Sequence, residues 1–206
     1  MIRGGSSSDR ARAQSAYERV IEILPSESEV SIEIVALGFG WPQGTEARST
    51  QDGVKILAQS MGGHAGRAEY LLYEEIAHHI AAEEGLPHVG NAGMFLQEFL
   101  AGFVKFSLAQ RHDPHLMQFL TMPEIGTSGW QRFYGFGTDL GALLAGLPMV
   151  DGAVNRFLAN SSVAEPVRSA GAELKGELQA RQWSPPELLD WCIRQYPGLS
   201  ESWDRL

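Results

Sequence analysis

Apolar and polar residues follow two different periods in the first part of the chain. Between residues 13 and 24 apolar side chains recur every three to four positions and stop before Pro25, which predicts an amphipathic helix. Residues 29–38 alternate apolar and polar side chains, the pattern of a strand with one buried face. Residues 54–58 predict a second short strand. A helix followed by a small sheet is therefore expected here.

Residues 70–80 predict a further helix whose two faces differ in chemistry. Because an α-helix has about 3.6 residues per turn, Glu74 and His78 share one face, and Glu75 lies beside them. The opposite face is apolar and is expected to be buried. It consists of Leu72, Ile76 and Ile80.

The next predicted helix spans about residues 91–109 and is apolar almost all round. Between residues 93 and 104 its one ionisable group is Glu98. A helix that is hydrophobic on every face is normally buried, and a buried carboxylate is costly unless it is neutralised, paired or bound to a metal. Glu98 is therefore predicted to have a partner, either a metal ion or a structural donor such as Lys105, Arg111 or a backbone N–H.

Beyond this helix the strand patterns end and apolar residues recur only at helical spacing. The chain is accordingly divided into a polar, mobile lead-in over residues 1–10, a motif lobe over residues 11–110 and a helical C-terminal lobe over residues 111–206. The predicted fold class is α+β, with a small sheet, buried motif helices and an all-helical C-terminal lobe.

Composition limits the classes of partner. The 206 residues carry a net charge of −9 without any basic run, which argues against nucleic acid or an anionic membrane as the main partner. The single cysteine, Cys192, excludes an intramolecular disulfide and fits a reducing compartment. No signal peptide or membrane-spanning segment is predicted, so a cytoplasmic location is expected, with export by a route that needs no cleaved signal left open.

The segment Glu74-Glu75-Ile76-Ala77-His78 resembles the zincin motif H-E-x-x-H with its first His replaced by Glu. In the thermolysin-like branch of that family, the gluzincins, the third zinc ligand is a Glu about twenty residues beyond the second His, on the next helix. Here Glu98 lies 20 residues after His78. The resemblance covers about residues 29–110.

This resemblance implies a zincin-like metallopeptidase that acts on a peptide or protein. Carried over position by position, Glu74, His78 and Glu98 would be the metal ligands, and Glu75 would be the general base. The metal implied is zinc, although a carboxylate-rich site also suits Mn or Fe. Substituting His for Glu74 is expected to raise zinc affinity.

Three features depart from the family pattern. One His and two carboxylates make a neutral site with a divalent metal, whereas two His and one Glu leave one positive charge, so the metal here would be a weaker Lewis acid. Gly102 stands where thermolysin-like proteins have an Asp that orients a ligating His. The His that stabilises the oxyanion in those enzymes has no assigned counterpart; His112 and His115 are candidates by residue type only.

Several alternatives stay open at this point. His79 or His64 could replace the missing ligand, although His79 lies about 100° around the helix from His78. The fold could be that of a catalytically inactive pseudoenzyme that binds a peptide or protein. Glu74, Glu75 and His79 could also lie on an ordinary exposed helical face.

A di-iron carboxylate protein is a further alternative. Glu75-x-x-His78 with Glu98 is half of a ferritin-like site, and Glu18 or Glu22 could supply another carboxylate. A second Glu-x-x-His is missing, however, and the predicted strands do not belong in a four-helix bundle. This alternative ranks below the metallopeptidase.

Overall fold

A computed structural model describes residues 1–38, 40–63, 66–86 and 90–114, together with residues 137–138, 141–142 and 145; for residues 90–96 the description is limited to the backbone. The elements of secondary structure, in chain order, are β1 (Ile2–Gly4), α1 (Ser7–Ile23), β2 (Ile32–Val35), β3 (Ala47–Thr50), β4 (Gly53–Leu57), α2 (Ala58–Met61), α3 (Arg67–Glu83) and α4 (Gly90–His112).

The strands form a single four-stranded mixed sheet in the order β1-β2-β4-β3. Strands β1, β2 and β4 are parallel, with Ile32 paired to Ile2 on one side and to Val54 on the other. Two parallel strands need a long crossover connection, and α1 supplies it between β1 and β2. Strand β3 pairs antiparallel with β4, where Ser49 faces Val54, and forms one edge of the sheet.

The N-terminal residues correct one expectation from the sequence. Residues 1–10, predicted to be a mobile lead-in, form β1 and the first turn of α1. Ser6 caps the helix reciprocally with Asp9: the Asp9 N–H donates to the Ser6 hydroxyl, and the Ser6 N–H donates to the Asp9 carboxylate. The polar composition of this segment is thus explained by helix capping.

The two predicted strands are confirmed, since β2 and β4 lie within or next to the segments identified by alternation. Strand β3 was not predicted. Its sequence, Ala-Arg-Ser-Thr, has one buried residue and no apolar alternation, so the strand period is not visible there. The result agrees with an α+β protein at the level of a small sheet combined with helices.

Helices α3 and α4 form the centre of the described structure and pack against each other. The apolar face of α3, formed by Leu72, Ile76 and Ile80, is fully buried, as predicted. Tyr73 is buried beside it. The Tyr73 hydroxyl accepts a hydrogen bond from Arg19 on α1, at 2.6 Å. Burial of this phenol raises its pKa to about 12. From Gln97 onward, where its side chains are described, helix α4 is mostly buried, also as predicted.

The predicted helical lobe over residues 111–206 lies almost wholly outside the described residues. Helix α4 itself continues to His112, past the predicted boundary. Of the later residues, Thr138 and Gly141 lie against α4: a Cβ added at Gly102 would come within 3.1 Å of the Thr138 carbonyl oxygen. Gly102 therefore permits a close approach of this segment. No helix in the described part of the chain is long and apolar enough to cross a membrane.

Candidate metal centre

A cleft of about 830 Å³ lies between the edge strand β3 and the two central helices. Strand β3 contributes Ser49 and Thr50 to one wall. Helices α3 and α4 contribute the ionisable side chains of the other wall and the floor. These are Glu74, Glu75, His78, His79, Glu83 and Glu98.

Three of these side chains converge on one point. Each of Glu74, His78 and Glu98 offers one donor atom, and the three atoms lie within 4.8 Å of one another. The sequence spacing places Glu74 and His78 one helical turn apart on α3, and packing of α4 against α3 brings Glu98 to them. The predicted ligands are thus brought together as a group that could hold a metal ion.

The distance between two of the donor atoms matches that between two ligands of one metal ion. Ligand atoms bind Zn²⁺ at about 2.0–2.2 Å, so two ligands of a tetrahedral ion lie about 3.3–3.6 Å apart. His78 Nε2 and Glu98 Oε1 are 3.5 Å apart. That separation suits two ligands of one ion and is longer than a strong hydrogen bond. The pair of His78 and Glu98 therefore has the separation expected of two ligands of one divalent metal, and Glu74 lies within reach of the same point.

The tautomer of His78 also suits a ligand. Its Nδ1 lies 3.4 Å from Gln97 Oε1, and Gln97 Nε2 donates to the Leu86 carbonyl at 3.3 Å. Because the Gln97 oxygen can only accept, Nδ1 carries the proton and Nε2 keeps its lone pair toward Glu98. Burial of the ring lowers the pKa of His78, which keeps the imidazole neutral. Sequence reasoning gave Gln97 no such role.

Glu98 is buried, as predicted, with 10% of its side chain exposed. Burial raises its pKa to about 8, and the negative charge of Glu74 adds to this increase. The Thr138 hydroxyl donates to Glu98 Oε2 at 3.4 Å. Two groups with lone pairs, His78 Nε2 and the Glu98 carboxylate, thus face each other and need a proton or a cation between them.

Glu75 lies on the same wall but has different contacts. It is partly buried, and its carboxylate accepts a hydrogen bond from the Ser49 backbone N–H of strand β3. Burial raises the pKa of Glu75 to about 7, with the Glu74 charge as the second cause. Since Glu74 and Glu75 are partly buried and His79 is buried, the exposed-face alternative for these residues is wrong.

Lys105, one of the candidate partners of Glu98, forms its ion pair with Glu74. It was considered as a partner for Glu98, but its Nζ lies 2.6 Å from Glu74 Oε1. Both side chains are nearly buried, with exposures of 7% for Lys105 and 13% for Glu74. The available signal was helical spacing: Lys105 follows Glu98 by seven residues and so shares its face of α4. Spacing within α4 could not show which carboxylate of α3 it would meet.

Among the described residues, the histidines other than His78 lie outside the group of three. His79 Nδ1 lies 3.2 Å from the Thr50 carbonyl oxygen, so His79 joins α3 to the end of β3. His112 lies at the end of α4 and is not among the residues that line the cleft. The candidates His64 and His115 lie outside the described residues.

Three further residues that the sequence offered as partners or ligands have exposed side chains. Arg111, considered as a partner for Glu98, is exposed at the end of α4. Glu18 and Glu22, considered for a di-iron site, are exposed on α1 and do not belong to the group of three. The di-iron alternative therefore gains no support from the described residues.

The raised pKa values predict that stability depends on pH. The folded chain raises the pKa of Glu75 to about 7 and that of Glu98 to about 8, from an ordinary value of 4.5. The stability contributed by their protonated forms is therefore fully present below pH 4.5 and is lost as the pH rises through about 7 and 8. His78 acts in the opposite sense, but only below its ordinary pKa of 6.5. Between pH 6.5 and about 9 the chelator-treated protein is therefore expected to melt at progressively lower temperature. A melting temperature that is flat or rising over this interval would contradict the raised pKa values of Glu75 and Glu98.

Comparisons of the chain with models of protein families, with curated proteins and with solved structures give no match.

Proposed function

We propose that this protein is a metal-dependent hydrolase of the zincin type that cleaves a peptide bond. The observation that supports the proposal most is the convergence of Glu74, His78 and Glu98 within 4.8 Å at a cleft that also holds Glu75. A metal held by these residues would act as a Lewis acid toward water and a carbonyl group.

Glu75 would move the proton in this proposal. In the proposed reaction it takes a proton from the attacking water as the water oxygen bonds to the carbonyl carbon. It then delivers that proton to the amide nitrogen as the carbon–nitrogen bond breaks. The hydrogen bond from the Ser49 backbone N–H holds the Glu75 carboxylate at the wall of the cleft. Glu74, His78 and Glu98 would hold the metal during these steps.

The shape of the cleft supports a peptide substrate. Its volume of about 830 Å³ is in the range that holds an extended segment of a few residues. One wall is strand β3, which contributes Ser49 and Thr50 to the cleft. The net charge of −9 favours a substrate or ligand without strong negative charge.

The ion pair between Glu74 and Lys105 favours a second candidate, a pseudoenzyme that uses the same cleft to bind a peptide or protein. An ammonium at 2.6 Å satisfies this carboxylate without any metal. In that case the chain would bind peptides without cleaving them.

One experiment separates the two candidates. The purified protein is stripped with a chelator, titrated with Zn²⁺ or Mn²⁺ in a calorimeter, and then incubated with a mixture of peptides whose products are followed by mass spectrometry. Saturable metal binding with metal-dependent cleavage is the expected result. Peptide binding without metal binding or cleavage would instead favour the pseudoenzyme.

A further inference from the structure

Lys105 lies where it can change the charge of the candidate metal centre. It is on α4, seven residues beyond Glu98, and its Nζ lies 2.6 Å from Glu74 Oε1. Only 7% of its side chain is exposed, so this ion pair is shielded from solvent far more than a surface pair. The zincin resemblance assigns no function to this position.

Two aromatic rings hold the ammonium group in place. Lys105 Nζ lies 4.9 Å from the centre of the Tyr70 ring and 5.3 Å from that of Phe106. The two rings meet edge to face, with their centres 6.2 Å apart. Desolvated cation–π contacts of this kind stabilise an ammonium ion. Burial raises the pKa of Tyr70, so its phenol stays neutral and does not replace Glu74 as the counter-ion.

Lys105 and Glu74 act on the same neighbours with opposite sign. Burial is the largest cause of the shifted pKa values of Glu75, His78 and Glu98, and the negative charge of Glu74 acts upward on all three. The positive charge of Lys105 lowers the pKa values of the same three groups. The effect of the carboxylate at position 74 is therefore partly cancelled throughout the cleft, and not only at its contact with Lys105.

We propose that Lys105 is a fixed cation that compensates for the carboxylate at position 74, so that Glu74, His78 and Glu98 present to a divalent metal the charge of a site with a single carboxylate. This inference rests on the proposed function. The two carboxylates and the ammonium carry a net charge of minus one, and a divalent metal brings the sum to plus one. Two histidines and one glutamate would give the same sum.

Lys105 is thus a positioning residue, which acts through Glu74. A carboxylate has two oxygens, so accepting Lys105 at Oε1 leaves Oε2 for a metal. The nearby ammonium weakens metal binding by repulsion, but it also withdraws charge from the Glu74 ligand and so strengthens the metal as a Lewis acid. Affinity and Lewis acidity are therefore expected to change in opposite directions when Lys105 is replaced.

The first test is Lys105→Met, which keeps an unbranched side chain shorter by one heavy atom and removes its charge. With Zn²⁺ alone as the probe, affinity is expected to become at least about tenfold tighter, because the repulsion is lost and the metal becomes the counter-ion of Glu74. Lys55→Met is the matched control, since Lys55 pairs with Glu33 at 2.9 Å on the sheet and is 33% exposed. Unchanged or weaker Zn²⁺ binding in Lys105→Met would overturn the proposal.

The second test distinguishes charge from simple anchoring of Glu74. Glu74→Gln alone leaves the ammonium beside the metal and is expected to weaken Zn²⁺ binding strongly. Adding Lys105→Met to it is expected to recover at least about tenfold in affinity. An anchoring role alone predicts no recovery, since the anchored carboxylate is already gone, and that result would overturn the proposal. The double variant lacks both buried charges, so it is expected to fold even if Lys105→Met does not.

The outcomes also separate this inference from the proposed function. If the wild type binds Zn²⁺ and neither substitution of Lys105 changes its affinity, only the compensating role of Lys105 fails. If the wild type binds no Zn²⁺ but Lys105→Met does, the metal-dependent function fails for the natural chain and the role of Lys105 stands. No Zn²⁺ binding by any variant would overturn both.

Discussion

Glu75→Gln is expected to lower metal-dependent peptide cleavage by about 10²–10⁴-fold and to leave metal affinity near that of the wild type. Glu75 lines the cleft but lies outside the group of three, so its loss would remove the proposed proton acceptor without removing a ligand. Its partner, the Ser49 N–H, can still donate to the amide oxygen of Gln. Initial rates on a cleaved peptide and a Zn²⁺ titration measure the two effects.

Glu83→Gln is the matched control for this substitution. Glu83 also lines the cleft and lies on α3, but it is exposed. Its removal is expected to leave both rate and affinity close to the wild-type values. Equal cleavage rates for Glu75→Gln and the wild type would show that Glu75 is not the base, and comparable losses in the two variants would point to a general effect of charge.

Glu98→Gln is expected to weaken Zn²⁺ binding by more than about 100-fold, because loss of a ligand exceeds the usual cost of losing a supporting contact. The same substitution removes a buried carboxylate whose pKa is raised to about 8. The metal-free variant is therefore expected to be more stable than the metal-free wild type at about pH 8, and its stability is expected to depend less on pH. Calorimetric titration and thermal unfolding in chelator measure these changes.

Zn²⁺ affinity is expected to fall while the stability of the metal-free protein rises, so the two measurements together distinguish a metal ligand from a structural acceptor. If Glu98 were only a structural acceptor for Thr138, Glu98→Gln would change stability and leave Zn²⁺ binding unaltered. Lower stability together with unaltered affinity would therefore contradict the assignment of Glu98 as a ligand. Glu29→Gln is a suitable control, since Glu29 is 80% exposed in its pair with the N-terminal amino group.

The ion pair with Lys105 changes what is expected of Glu74→His. From the sequence alone, this substitution restores a histidine ligand and should raise zinc affinity. In the structure it would also leave the buried Lys105 ammonium without the carboxylate that lies 2.6 Å away. An uncompensated buried charge is strongly destabilising, so the substitution must be combined with Lys105→Met to restore a ligand without stranding a cation.

The sequence was sufficient for features that depend on spacing along a single element. The interval from Glu74 to His78 fixes a shared face of α3, and the apolar residues around Glu98 require that helix to be buried. Alternation found β2 and β4 for the same reason. These inferences succeeded because helical and strand periods are local properties of the chain.

Other features were decided by contacts between elements that lie far apart in the sequence. Strand β1 needs β2 as its partner, and its three residues carry too short a pattern to be recognised alone. Strand β3 presents the Ser49 N–H to Glu75 of α3, and α4 presents Lys105 to Glu74 instead of Glu98. The register between α3 and α4 sets these pairings, and periodicity within one helix contains no information about it. The sequence therefore determined which residues could form the site, whereas the packing of α4 and β3 against α3 determined the partner of each.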